Sequence, residues 1–239
     1  MEGNLSKFHL SFYAVIVYFS IASSYEDMAI ARRYMAEGNT KAAFKEYLLS
    51  AEEGHLQAQF LIAQMYQYGS GVNKDLREAS KWYALAADRG FDKAQNNLAT
   101  MYLSGRGIIQ DTKMAAFWFE KAAVQGHVKS TANLADLYLN GDGIDEDYTK
   151  ARELYLSAAQ KGNTKAQNNL GFIYFEGKGV KKDYETAYMW FHIAAQKGSD
   201  EGEVNKFDME EVISSDDKTS ALKKASLWLR KYESSSDEN

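Results

Sequence analysis

Apolar and polar residues follow each other along this chain with the period of an α-helix. After Gly90, apolar residues fall at Ala94, Leu98, Met101 and Tyr102. Positions i, i+4, i+7 and i+8 share one helix face, so the spacing predicts a helix from about residue 92 to residue 104 with that face buried. A second apolar stripe follows, formed by Ala115, Trp118, Phe119, Ala122 and Ala123. The pattern therefore predicts two amphipathic helices joined by a short loop.

The two-helix pattern recurs every 36 residues without slippage. Each copy closes on a glycine, at Gly54, Gly90, Gly126, Gly162 and Gly198. Each full copy has a tyrosine near the end of its first helix, at Tyr66, Tyr102, Tyr138 and Tyr174. A pair of glycines and then an aspartate separate the two helices, and these aspartates are Asp75, Asp111, Asp147 and Asp183. Gapless copies at a fixed period indicate a stack of repeated units, in which each unit buries its apolar face against its neighbours.

The recurring loop residues have clear local roles. Gly105 follows the first helix, where glycine adopts the left-handed conformation without a Cβ clash. Asp111 precedes the second helix, where its carboxylate can accept hydrogen bonds from the first-turn amides. Glu78 follows Asp75 at the spacing of a capping box. The loops therefore end one helix and begin the next.

The stretch "AQNNLGFIYFEGKGVKKDYETAYMWFHIAAQKG" resembles the Sel-one-like repeat (SLR) family, which is related to the tetratricopeptide repeats. The resemblance covers residues 55–198 as four repeats and residues 25–54 as a degenerate first repeat that caps the stack. It implies an all-α fold, an α/α superhelical solenoid of stacked antiparallel helix pairs. It also implies an adaptor role, which exported bacterial members exert in envelope regulation. The loops here lack the proline that is common in bacterial repeats, which affects loop stiffness only.

Both ends of the chain depart from the repeat. Residues 1–24 combine Lys7, an apolar run over 12–19 and small residues before Tyr25, which is the pattern of a cleaved secretory signal peptide. An uncleaved anchor is the alternative, although the run is too short to span a bilayer. Residues 199–232 are expected to form C-terminal capping helices, one over 203–213 and one capped by Asp217. Residues 233–239 are predicted to be a disordered acidic tail.

Composition narrows the function classes. The chain has no cysteine, which excludes disulfides and thiol catalysis. The net charge of −5 arises after residue 198, and no basic patch suits nucleic acid. No metal or cofactor motif is present, because His55 and His127 occupy a slot that Phe91 and Asn163 fill in other copies. We expect no enzyme activity, no cofactor, no nucleic-acid partner and no membrane insertion of the mature chain.

Polar residues recur on a third face of the first helices. A lysine is followed four residues later by an asparagine, which places both on one helix face. These pairs are Lys93/Asn97, Lys129/Asn133 and Lys165/Asn169. Phe60 and Phe172 stand in nearby slots that other copies fill with Asn, Ala, Thr or Asp. By analogy with tetratricopeptide repeats, this face lines a concave groove, and we interpret these residues as partner-binding.

The sequence therefore predicts an exported, monomeric adaptor, periplasmic or secreted, that binds a protein or peptide in its groove. One alternative is a structural module that assembles with itself or with the cell wall. A less favoured alternative is a hydrolase built on the solenoid, for which His192 would be the residue to test. The solvated surface of an ordinary repeat also accounts for the lysine pattern.

Overall fold

The computed structural model describes residues 28–233, and this part of the chain contains twelve helices and no strand. Consecutive helices pack as pairs, so the all-α, α/α solenoid class expected from the sequence is confirmed. The chain divides into two compact units, Met1–Gln110 and Asp111–Asn239. The predicted signal peptide (1–24) and residues 234–239 of the predicted tail lie outside the described residues.

The N-terminal unit contains five helices. The described part of α1 covers residues 28–36. The others are α2 (Thr40–Glu52), α3 (Leu56–Tyr68), α4 (Leu76–Asp88) and α5 (Asp92–Ser104). Each packs against the next from α2 onward. Small residues at 0% exposure, among them Ala31, Ala43 and Ala58, let these helices approach closely, and Ile62 fills the space between them.

The C-terminal unit contains seven helices. They are α6 (Thr112–Val124), α7 (Val128–Asn140), α8 (Tyr148–Gln160), α9 (Thr164–Glu176), α10 (Tyr184–Gln196), α11 (Asp200–Met209) and α12 (Ser215–Glu233). The buried core includes Tyr155, Leu170, Ile173 and Phe191. The last helix, α12, closes this core with Ala221 and Ala225, both fully buried.

Every second helix begins at the predicted aspartate. Asp111, Asp147 and Asp183 each accept a hydrogen bond from the amide three residues later, and Asp75 accepts two amides. At the start of α2, Asn39 has the same role and accepts from the amide of Ala42 at 3.2 Å. These caps satisfy amides that the first helical turn leaves unpaired, and each contributes about 0.5–2 kcal/mol.

The paired loop glycines have two different functions. Gly105 ends α5 in the left-handed conformation, at φ 67°. Gly107 also has a positive φ, and a Cβ there would collide with the backbone carbonyl of Leu76, the first residue of α4. A Cβ on Gly71, Gly143 or Gly179 would likewise collide with Thr40, Thr112 or Tyr148, which are the first residues of α2, α6 and α8. The second glycine of each loop therefore seats the loop against the start of the previous repeat's second helix.

Three expectations need correction. Tyr102 is half-buried, whereas Tyr83, Tyr155 and Tyr188, all on second helices, are fully buried. In the last loop the cap is Ser214, whose Oγ accepts from the Asp217 amide at 3.1 Å, so Asp217 lies in the first turn of α12. The predicted 203–213 helix is instead α11 over Asp200–Met209, because the Ser199 hydroxyl caps it at Gly202.

Candidate protein-interaction face

The first helices present a stripe of partly exposed residues at four positions, spaced i, i+4, i+7 and i+11. We call this stripe the groove face. In the C-terminal unit it consists of Lys129, Asn133, Asp136 and Asn140 on α7 and of Lys165, Asn169, Phe172 and Glu176 on α9. In the N-terminal unit it consists of Gln57, Leu61, Gln64 and Tyr68 on α3 and of Lys93, Asn97, Thr100 and Ser104 on α5. None of these side chains is buried, so both units offer them for contact.

A hydrogen-bonded cluster around Asp136 organises the groove face of the C-terminal unit. Lys165 Nζ lies 2.5 Å from Asp136 Oδ2, and Asn169 Nδ2 donates to Asp136 Oδ1 at 3.1 Å. The hydroxyl of Tyr155 donates to the same Oδ1, and it accepts from Asn169 at 3.0 Å. The cluster joins α7, α8 and α9, so it fixes the position of one first helix relative to the next.

The electrostatics of the cluster favour its present protonation state. Burial, and then the neighbouring Asp136 carboxylate, raise the pKa of Tyr155 far above its ordinary value. The phenol therefore keeps its proton and remains a donor to Asp136. Lys165 balances the carboxylate charge, but its side chain is 58% exposed and that of Asp136 is 24% exposed. Solvent screens such a pair, which is worth about 0–1 kcal/mol.

The predicted lysine and asparagine residues differ in their surroundings. Lys129 and Lys93 are exposed, and neither forms an ion pair with any other described residue. Lys165 is instead held by Asp136. Asn97, in the N-terminal unit, accepts at its side-chain Oδ1 a hydrogen bond of 3.1 Å from the side-chain Nδ2 of Asn96. The lysines are therefore placed on the surface as predicted, while the asparagines are half-buried and partly engaged within the protein.

The two phenylalanines proposed as anchors have different environments. Phe60 is only 8% exposed and packs against Phe91 and Tyr83, with ring centroids 5.3 Å and 5.8 Å away. This burial corrects its interpretation as an exposed anchor. Phe172 is 38% exposed and contacts Phe191 edge-on at 5.2 Å. Phe172 alone keeps the exposure that an anchor contact needs.

Phe172 forms one wall of an apolar pocket on the groove face. The pocket has a volume of about 170 Å³. Its lining comes from α9, α10, α11 and the turn after α11, and consists of Phe172, Phe175, Phe191, Asn205, Asp208, Met209 and Val212. This size suits one apolar side chain of a partner rather than a drug-sized ligand.

Neither Asp136 nor Tyr155 is marked as a site residue by the repeat pattern. Asp136 occupies a slot that the other copies fill with Gln64, Thr100 and Phe172, so no recurring residue type marked it. Tyr155 shares its slot with Tyr83, Phe119 and Phe191, which looks like an ordinary core position. The sequence signal that could have identified Asp136 is that it is an acidic residue on the first helix next to the one that carries Lys165.

Two of the described histidines, His127 and His192, have local structural contacts. His127 caps α7 by accepting the Ser130 amide at Nδ1, 3.2 Å away. His192 stacks on Tyr188 with centroids 6.4 Å apart, and burial followed by Lys206 lowers its pKa. Between residues 28 and 233, no group of three or more His, Cys, Asp or Glu side chains could hold a metal ion.

No helix among the described residues has the length and apolar character needed to cross a membrane.

The Sel1 repeat model matches residues 56–91, 92–127, 128–163 and 164–199. No curated protein sequence matches this chain. Among solved structures, one similar protein is c5321, a protective antigen of uropathogenic Escherichia coli with an SLR fold. It is 30% identical with a TM-score of 0.79, and the match covers 87% of this chain but only 46% of the E. coli protein.

A second similar structure is a Sel1 repeat protein from Oxalobacter formigenes. It is 30% identical with a TM-score of 0.72, and the match covers 87% of this chain and 84% of that protein. Both likenesses extend over most of this chain, whereas this chain spans about half the length of the E. coli protein.

Proposed function

Because this chain belongs to the Sel1 repeat family, whose members are typically protein-interaction modules, we propose that it is an exported adaptor that binds a protein or peptide on its groove face. Sel1 repeat solenoids are typically non-enzymatic, and the histidine environments described above agree with that. The proposed adaptor works in the cell envelope or outside the cell, and its function there is to bring partners together.

One observation carries the proposal, namely that charged and apolar contact groups lie along a single helix. On α9, Lys165, Asn169 and Phe172 follow at i, i+4 and i+7, so they share one face. The apolar pocket beside Phe172 can take a partner side chain, while Lys165 and Lys129 can meet carboxylates. A buried apolar anchor with a charged rim is the usual anatomy of a protein interface.

The Asp136 cluster supports this proposal by restricting Lys165 before any partner arrives. A lysine already held at Asp136 loses less side-chain freedom on binding than a freely rotating one. The pair also gives the face both signs of charge. We infer that the preferred partner segment carries a carboxylate near Lys129 and an apolar side chain four or more residues away.

Export rests on residues 1–24 and places the adaptor in the periplasm or outside the cell. The combination of Lys7, an apolar run and small residues before Tyr25 supports this. The likeness to a protein described as a protective antigen agrees with an exported location.

The test compares two matched variants of the protein as isolated from the producing cells. The groove variant carries Lys129→Ala, Lys165→Ala and Phe172→Ala. The control carries Lys113→Ala, Lys121→Ala and Leu156→Ala, which alters exposed residues on second helices, and Leu156 is 39% exposed against 38% for Phe172. A partner is first captured from envelope extract on the unaltered protein, and its affinity for each variant is then measured by calorimetry.

We expect the groove variant to bind at least tenfold more weakly and the control to bind normally. A salt titration adds a second readout, since removal of the lysines should reduce the salt dependence of binding. Adding Lys93→Ala tests the N-terminal unit separately. Loss of binding by the control variant alone would refute the groove proposal.

A further inference from the structure

Helix α11 is the first helix of an incomplete fifth repeat. It begins 36 residues after α9, and its residues fall in the same slots. Gly202 takes the slot of the buried Ala166, and a Cβ on it would lie 2.7 Å from the Ala194 Cβ of α10. Met209 takes the slot of Ile173, and both are buried. In each full repeat a second helix packs against the first, so α11 has a face made for such a helix.

That pairing face is uncovered in the structure. The slot at its centre holds Ala63, Ala99 and Ala135 in three repeats, each at 0% exposure. In the fourth repeat it holds Gly171, where a Cβ would collide with the Phe191 ring of the paired helix. In α11 the same slot holds Phe207, which is 67% exposed, and the neighbouring Val204 is 58% exposed. Phe207 thus stands in solvent at a slot where the full repeats bury alanine or glycine, and Val204 is exposed beside it.

The following helix, α12, packs on α10 instead. Trp228 contacts Trp190 at 5.1 Å, and Lys224 Nζ lies 3.0 Å from Glu185 Oε1. Near the end of α12, the Tyr232 hydroxyl accepts a hydrogen bond from Gln160 at 3.0 Å. Within residues 28–233, therefore, no helix covers the pairing face of α11, and this face is open to a partner.

The outer faces of α11 and α12 are complementary in charge. On α11 the pairing face holds Asp200, Val204 and Phe207, and Glu211 follows in the turn directly after the helix; all four are exposed, with acids at both ends of an apolar centre. On α12 the exposed stripe reads Lys223, Leu227 and Arg230, with bases flanking Leu227, which is 57% exposed. Asp200, Val204 and Phe207 on α11 follow helical spacing, and so do Lys223, Leu227 and Arg230 on α12. In antiparallel order Glu211 meets Lys223, and Leu227 lies between Val204 and Phe207.

We propose that a second copy of this chain covers α11, so that α11 of each copy pairs antiparallel with α12 of the other. A single pair of short helices buries little area. In a two-fold dimer, however, the contact between α11 of one copy and α12 of the other forms twice. The doubling brings the interface towards the roughly 1,200 Å² that specific interfaces need. This association goes beyond the adaptor function, does not use the groove face, and opposes the monomer expected from the sequence.

The first test measures the mass of the isolated protein by size-exclusion chromatography with light scattering over a range of concentrations. We expect twice the chain mass at high concentration and a return to the single mass on dilution. Phe207→Asp should abolish the dimer, while Val124→Asp, which alters another exposed valine (84% exposed) on α6, should leave it intact. Circular dichroism confirms that both variants are folded. A wild-type monomer at every concentration, or a dimer that survives Phe207→Asp, would overturn the proposal.

The second test uses complementary charge reversal. Glu211→Lys places like charges in both contacts of its own dimer, and Lys223→Glu does the same. Each variant alone should therefore associate at least tenfold more weakly than wild type. Mixed together, they form a dimer in which both contacts again join opposite charges, so the mixture should recover the dimer. Failure of the mixture to associate, when each variant alone is weakened and folded, would refute the α11–α12 pairing.

Discussion

The hydroxyl of Tyr155 donates a hydrogen bond of 2.5 Å to Asp136 Oδ1, which ties a second helix to the first helix of its own repeat. Asn169 and Lys165 bring the next first helix to the same carboxylate. The polar contact is therefore part of the packing between repeats as well as of the proposed binding face.

Replacement of Asp136 should separate these two roles. Asp136→Ala leaves the Tyr155 hydroxyl and the Asn169 amide short of a partner, so we expect a loss of about 1–3 kcal/mol of unfolding free energy. Lys165→Ala removes only an exposed ion-pair partner and should cost at most about 1 kcal/mol. Urea denaturation measures both, with Asp142→Ala in the exposed loop as a control. Equal effects of Asp136→Ala and the control would contradict the cluster's structural role.

Tyrosines on second helices should matter more than the recurring tyrosines on first helices. Tyr83 is fully buried and donates to Gln67 Oε1 at 2.5 Å, so Tyr83→Ala should destabilise the protein by about 3–5 kcal/mol. Tyr102 is half-buried, and Tyr102→Ala should cost clearly less, about 1–2 kcal/mol. Thermal or urea unfolding of the two variants decides the order, and the reverse order would contradict the burial described here.

Overpacking should be costly at the alanine positions between helices. Ala122 is fully buried in α6, so Ala122→Leu should destabilise the protein by about 1–3 kcal/mol. Val124, two residues later, is 84% exposed, and Val124→Leu should change stability by less than about 0.5 kcal/mol. A similar denaturation midpoint for both variants would show that the alanine slot is not tightly packed.

Stability should also depend on the protonation of His192. Burial, and then Lys206, lower the pKa of His192 below its ordinary value of 6.5, whereas Glu203 opposes that shift. The unfolded chain therefore binds the proton more readily, so the folded state is favoured most above pH 6.5 and loses stability as the pH falls through the lowered pKa. His192→Gln should flatten this part of the unfolding free-energy profile. Carboxylates such as Asp183 act in a more acidic range, since their ordinary pKa is 3.8.

Export predicts a defined mature N-terminus. Cleavage after Ser24 would leave Tyr25 as the first residue of protein isolated from the native host. N-terminal sequencing provides the measurement. Recovery of Met1 as the first residue would rule out cleavage and favour the uncleaved anchor.

Local signals made the helices predictable. Asp111, Gly105 and the apolar spacing act within a few residues of chain, so the bounds of α5 and the start of α6 follow from sequence alone. The repeat then carries each local signal to every copy. The same reasoning placed Lys93, Lys129 and Lys165 on the surface.

Burial of individual groove residues could not be predicted in this way. Phe60 and Phe172 look alike in sequence, yet Phe91 and Tyr83 leave the first only 8% exposed, whereas the second stays 38% exposed beside Phe191. Asp136 depends on Tyr155, Lys165 and Asn169, which come from two other helices. The exposure of the α11 pairing face could not be predicted either, because it depends on the packing of α12 on α10.

The seating of each loop glycine on the previous repeat bears on how such a chain can evolve. Gly71, Gly107, Gly143 and Gly179 all contact the opening residue of a second helix in the repeat before them. Each internal repeat therefore contacts the repeat before it through its loop glycine, and is contacted in the same way by the repeat after it. A gene that gains or loses a whole repeat by unequal recombination re-creates this contact at the new junction, whereas a partial repeat leaves a loop without a seat. Natural variation in this family should accordingly proceed in whole repeats, with partial repeats confined to the ends.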